Sequence, residues 1–106
     1  MEVIINKWLP IKGFRCINLF GILFVREEYS ELNKYTLNHE AIHTRQMKEM
    51  GYIPFYIIYV LEWLFRLCQR GDAYRNISFE REAYRHQYDL NYLEHRKFWA
   101  MWRPNN

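Results

Sequence analysis

Residues 36–51 read Thr36-Leu37-Asn38-His39-Glu40-Ala41-Ile42-His43-Thr44-Arg45-Gln46-Met47-Lys48-Glu49-Met50-Gly51. Thr36 is a good N-cap, because its hydroxyl can accept an orphan backbone N–H. Gly51 suits the position just past the last turn, where the left-handed conformation closes a helix. The stretch therefore predicts a helix over residues 37–50. Within it, His39 and His43 lie four residues apart, one turn apart on one face. Both imidazoles can then reach a single metal ion. Glu40 lies one residue round from His39, where it can take a proton from a water held at that ion. Imidazole nitrogen with carboxylate oxygen in a tetrahedral set suits zinc.

Working outward, a second helix is expected from Pro54, which the first turn tolerates, to about Gln69, ahead of Gly71. Residues 53–68 are the most apolar stretch, interrupted by Glu62 and Arg66. A bilayer span needs ~20 mostly apolar residues, so this stretch reads as a buried core helix and not as a span, with a membrane-surface or re-entrant segment as the alternative. Ser78 is expected to cap a third helix reaching about Trp99, with Pro104 closing the chain. Toward the N-terminus, residues 2–27 are rich in Val, Ile, Phe, Leu and Trp and are broken at Pro10, Gly13 and Gly21. That is strand-and-turn chemistry, and it predicts strands near 3–8, 14–19 and 22–26, followed by a polar connection over 27–35. The expected fold class is α+β: a small N-terminal β-sheet followed by three α-helices, in one domain over 1–106.

A catalytic zinc ordinarily has three protein ligands and one open position. If the apolar helix returns the chain, a carboxylate in the first turn of the third helix can face the two histidines. Glu80 is the preferred third ligand. Glu82 points about 200° round the helix from it, so only one of the two can face the metal. Glu62, set among Leu61, Trp63, Leu64 and Phe65, is a charge in an apolar run and needs a partner. It is expected either near the metal or paired with an arginine such as Arg66.

The pair His39-Glu40-Ala41-Ile42-His43 and Glu80-Arg81-Glu82-Ala83-Tyr84 resembles the gluzincin metallopeptidases. The closest likenesses are the CAAX-prenyl-protease family and the BlaR-type antirepressor peptidases, whose second motif has the form E-x-x-A/C-D. The resemblance covers two short motifs and the helices between them. It implies a zincin-like core with one zinc per chain, His39, His43 and Glu80 as ligands, Glu40 as general base, and a peptide or protein substrate. The chain departs from those families at Tyr84, where they carry an Asp that supports a ligand histidine; a phenol brings no charge to that role.

Oxyanion donors are open among His86, Tyr74, Tyr84 and Tyr88, with a solvated side chain the plainer reading of His86. Gln46, on the face of His43, can orient a ligand or sit partly exposed. Met47 and Met50 read as core, and His95 as surface. The strand at 22–25 offers an edge to which an extended peptide could add. The tail from Arg96 to Arg103 interleaves basic and aromatic residues. Packing of Trp99 and Trp102 on the core is favoured there, with a peripheral membrane or partner contact as the other use.

The formal net charge of +3 is too weak to mark a nucleic-acid binder. The two cysteines, Cys16 and Cys68, make neither a disulfide framework nor a zinc cluster. They suit a reducing, cytoplasmic compartment. The N-terminus lacks the basic region and apolar run of a signal peptide. The leading expectation is a zinc-dependent metallopeptidase-like hydrolase. Its rivals are a non-catalytic zinc-stabilised binding module and a membrane-surface helical protein whose H-E-x-x-H is accidental.

Overall fold

The computed structural model describes residues 1–103. It is an α+β fold, a three-stranded sheet followed by helices. Strands β1 (Glu2–Asn6), β2 (Cys16–Leu19) and β3 (Ile22–Arg26) lie in the order β1-β3-β2. β2 and β3 are antiparallel, joined through Phe20 and Gly21, both at positive φ. That is the combination a two-residue hairpin needs to match strand twist. β1 runs parallel to β3, with Glu2 opposite Ile22. The first strand stops at Asn6, short of the expected 3–8, because the Asn6 side chain accepts the N–H groups of Trp8 and Leu9 and turns the chain.

β3 is the central strand, so it has no free edge to offer a peptide. The two edges belong to β1 and β2. The Arg26 N–H bonds the Arg15 carbonyl, and alternation along an antiparallel ladder then turns the backbone groups of Cys16 and Asn18 away from β3.

Helix α1 (Lys34–Met50) begins earlier than expected. Asn33, not Thr36, is its cap: the Thr36 N–H donates to Asn33 Oδ1 at 2.8 Å. Its C-terminus closes on Gly51 at φ 78° as expected. After a bend of 111°, α2 (Ile53–Leu67) follows, then a single turn α3 (Ala73–Asn76), α4 (Ser78–His86) and a single turn α5 (Tyr92–His95).

Two expectations about the later helices need correction. Ser78 does not cap the third long helix; it is the first residue of α4. Its N–H and hydroxyl both go to the Glu62 carboxylate, at 3.2 and 2.5 Å. Glu62 is therefore neither a ligand candidate nor paired with Arg66, whose Nη1 donates to Gln69. Nor does the helix reach Trp99. Asn38 of α1 donates to the carbonyls of Gln87 and Asp89, and Asp89 Oδ1 accepts the Asn91 N–H. Side chains thus take the backbone groups that a continuing helix would use. The expected closure at Pro104 lies outside the described residues.

The core is built from Met47, Phe55, Ile77, Phe79 and Met101, with a second cluster of Ile42, Ala83 and Tyr92. Met47 is buried and Met50 packs against the core from its edge. In the tail, Trp102 packs on Phe79 at 5.8 Å and donates its indole N–H to Ser78 Oγ, and Trp99 packs on Trp102.

The largest departure is α2. Of its residues only Phe55 is buried. Its tyrosines, Glu62 and Arg66 turn inward with Phe55, while Ile53, Ile57, Val60 and Leu64 run down the middle of an exposed face. Leu61, Phe65 and Leu67 widen that face, and all seven are 48–59% exposed. Among the described residues no other element covers the outer side of this helix.

Candidate metal centre

α1 places His39 and His43 on the face that meets α4, and the first turn of α4 brings Glu80 against them. All three are buried. His39 Nε2 and His43 Nε2 are 3.2 Å apart, and each lies 3.1 Å from Glu80 Oε1. Tetrahedral ligands ~2.0–2.1 Å from one ion must themselves sit ~3.3–3.5 Å apart, so these three atoms form one face of a tetrahedral site with little adjustment. The group can hold a metal ion.

The second nitrogen of each imidazole is held by a glutamine. His43 Nδ1 is 2.8 Å from Gln46 Oε1, and His39 Nδ1 is 2.7 Å from Gln87 Oε1. An amide oxygen only accepts, so each ring carries a proton on Nδ1, which leaves Nε2 as the nitrogen that faces Glu80 and can ligate a metal. The Gln46 orientation is fixed from behind, because its Nε2 donates to the Phe79 carbonyl and to Glu82 Oε1. Gln46 is fully buried, so it orients a ligand and is not the half-exposed residue of the plainer reading. Gln87 was not anticipated. Its signal was present, since it follows Glu80 by seven residues, two turns along the same face. Asn38 fixes it by holding its carbonyl.

Tyr84 does not take the supporting role that Asp fills in the resembling families. It packs edge-on against the His39 ring at 4.6 Å, and the Arg75 guanidinium lies 4.0 Å from its centroid. Replacing Gln87 by Leu should therefore weaken metal affinity about 10–100-fold, measured by competition with a chromophoric chelator. An unchanged affinity would mean that Gln87 does not set the His39 tautomer.

Glu82 turns away from the metal group into an ion-paired cluster. Arg96 bridges it (2.5 and 3.0 Å) and Glu49 (2.8 Å), and Tyr92 donates to it. Burial opposes ionisation of Glu82, but the hydrogen bonds from Arg96, Gln46 and Tyr92 hold its pKa below the ordinary carboxylate value. Glu80 is treated similarly. Burial works against its charge, yet His43, His39 and the Tyr59 hydroxyl, 2.6 Å from Oε2, hold it far below the usual range. Burial also works against charge on His43, but the adjoining Glu80 outweighs it and raises the His43 pKa.

Beside the group opens a cleft of about 320 Å³. Glu40, His43 and Glu80 line its floor, Cys16–Asn18 of β2 one wall, and Phe55, Tyr56, Tyr59 and Tyr74 the other. Asn18 ties β2 to α1, donating to the Glu40 carbonyl (3.1 Å) and Thr44 Oγ1 (3.0 Å). Glu40 is thus held with its side chain in the cleft and its backbone anchored. Burial and the Glu40 carboxylate push the Cys16 thiol up to about 11, so it stays protonated near neutrality.

Among the candidate oxyanion donors, Tyr74 alone lines the cleft. Burial, then the Glu80 charge and the Tyr84 phenol, hold its hydroxyl well above the ordinary range, so it remains a donor. Tyr88 is exposed with its ring tilted against Tyr35, while His86 stacks on Tyr92 at 3.9 Å. His95 is a surface residue beside Asp89. Compared with protein-family models, curated proteins and solved structures, the chain matches none.

Proposed function

We propose that the chain is a zinc-dependent peptide hydrolase. The observation that carries this reading is the convergence of His39 Nε2, His43 Nε2 and Glu80 Oε1 to within 3.2 Å of one another, at a cleft that also holds Glu40. Two neutral imidazoles and one carboxylate suit zinc among the common ions. When bound, zinc supplies Lewis acidity toward a carbonyl oxygen and makes a nearby water a nucleophile at neutral pH.

The remaining chemistry belongs to the chain. Glu40 accepts the water proton and passes it to the leaving amine. The Tyr74 phenol donates to the oxyanion that forms as the carbonyl is attacked. The outward backbone groups of Cys16 and the Asn18 N–H offer an extended peptide main-chain hydrogen bonds along β2. The Asn18 carbonyl already accepts from Tyr56, which limits that pairing to a short segment. Apolar and aromatic side chains on the opposite wall favour a peptide with bulky apolar residues.

Purified protein should carry about one zinc per chain, read by elemental analysis after removal of loosely held ions. Glu80→Gln should lower affinity by at least tenfold, since the variant replaces an anionic ligand with a neutral one. Affinity should also fall on acidification, because His39 and His43 must shed protons to bind. A chain that takes up no zinc at neutral pH would overturn the proposal.

One observation favours a second reading, a zinc-stabilised binding module. Both histidines lean on neutral glutamine amides, whereas a carboxylate there would raise ligand basicity. The two readings part on the behaviour of Glu40.

A further inference from the structure

We propose that the outer face of α2 docks the protein on an anionic lipid bilayer, with the helix lying in the plane of the membrane surface. A surface helix of a water-soluble domain turns its apolar stripe to the core and its polar residues to solvent. α2 does the reverse. Its charged residues, Glu62 and Arg66, are on the half-buried side, and Glu62 is committed to Ser78. The opposite side carries seven aliphatic and aromatic residues, each about half exposed, and no charge. At that exposure they leave on the order of 700 Å² of apolar surface, above the ~300–600 Å² of the largest patch on a typical monomer.

Length decides how the helix can meet lipid. Fifteen residues reach ~22 Å at 1.5 Å per residue, short of the ~30 Å hydrocarbon core. No single described helix is long and apolar enough to cross a membrane. An in-plane helix needs only its exposed stripe to enter the boundary between headgroups and acyl chains.

Charge decides which surface. Of the two acidic residues between Ile53 and Arg75, Glu62 holds Ser78 and Asp72 caps the Arg75 N–H. Past the C-terminal end of the stripe come Arg70, which is exposed, and Arg75, whose guanidinium lies over the Tyr84 ring. The loop between β1 and β2 repeats the composition. Trp8, Ile11 and Phe14 are 60–78% exposed there, among Lys7, Lys12 and Arg15. Cations beside an apolar face match an anionic bilayer. In a pair of identical chains, each of net charge +3, the same cations would add like-charge repulsion.

The test is co-sedimentation of the zinc-loaded full chain with vesicles of phosphatidylcholine, with and without about one-third phosphatidylglycerol. We expect at least ~10-fold stronger partition onto the anionic vesicles, weakening at high salt. Ile57→Glu with Leu64→Glu should abolish partition, while circular dichroism and zinc content stay unchanged because both sites are exposed. Arg70→Glu should lower partition onto anionic vesicles severalfold.

Failure to bind anionic vesicles would overturn the proposal, as would equal binding to pure phosphatidylcholine. A concentration-dependent dimer that the double variant dissolves, without vesicle binding, would assign the face to a second copy and also overturn it. Binding is read without a peptide substrate, so this outcome and the outcome for hydrolysis are independent.

Discussion

Glu40→Gln should abolish peptide hydrolysis while zinc content stays near one per chain. The Glu40 side chain lies in the cleft beside His43 and Glu80, outside the three-atom ligand group. Its loss removes the base and leaves the metal-holding atoms untouched. A positioned general base contributes ~10²–10⁴-fold to such a step, so the rate should fall by about that factor. The measurement is cleavage of a mixed peptide library, wild type against variant, with zinc assayed on the same samples. If hydrolysis survives in the variant, Glu40 is not the base. If zinc is lost with it, the ligand assignment is wrong. A wild type that holds zinc and cleaves nothing would favour the binding-module reading.

Arg96→Ala should be the most destabilising single substitution outside the hydrophobic core, at about 3–5 kcal/mol. The Arg96 side chain is 1% exposed and lies between Glu82, at 0%, and Glu49, at 5%. Removing it leaves two buried carboxylates without their cation, and the Trp99 N–H remains as a partner of Glu49 only. Denaturant unfolding of the two proteins gives the difference directly. Arg96→Lys should recover part of it, since an ammonium keeps the charge but cannot fork across both carboxylates.

The pH dependence has a definite sign. The Glu82 pKa is lower in the folded chain than in the unfolded one, so its contribution is present above the unfolded value. It is lost as pH falls through the folded value. The gap between wild type and Arg96→Ala should therefore narrow in acid. A loss under about 1 kcal/mol at neutral pH would mean that the cluster is solvated and not buried.

The consequence reaches the metal group. Glu82 accepts from Gln46, and Gln46 holds the His43 ring. A segment more than fifty residues from the histidines in sequence thus braces one of them through two hydrogen bonds. Arg96→Ala should lower zinc affinity as well as stability, whereas a core substitution such as Ile77→Val should spare it.

What the sequence alone determined was local. The four-residue spacing of His39 and His43 puts both rings on one face of any helix that contains them. Gly51 marks the end of that helix because few other residues accept its positive φ. The strand at 22–26, a helix beginning near Pro54 and the first-turn position of Glu80 likewise followed from short-range pattern.

What only the tertiary structure decided was every choice among equivalent partners. Three carboxylates could have faced the histidines. Packing of α4 against α1 selected Glu80, gave Glu82 to Arg96 and Gln46, and left Glu62 to cap α4. The third helix ended at His86 because Asn38, half the chain away, claimed the carbonyls beyond it. Hydropathy placed a helix from Pro54 to about Gln69, close to the observed Ile53–Leu67, but misjudged its surroundings. Apolar composition measures what a helix gains by leaving water, not whether another element is placed to cover it. Here one side of α2 meets the core and the cleft, and the other meets nothing within the described residues.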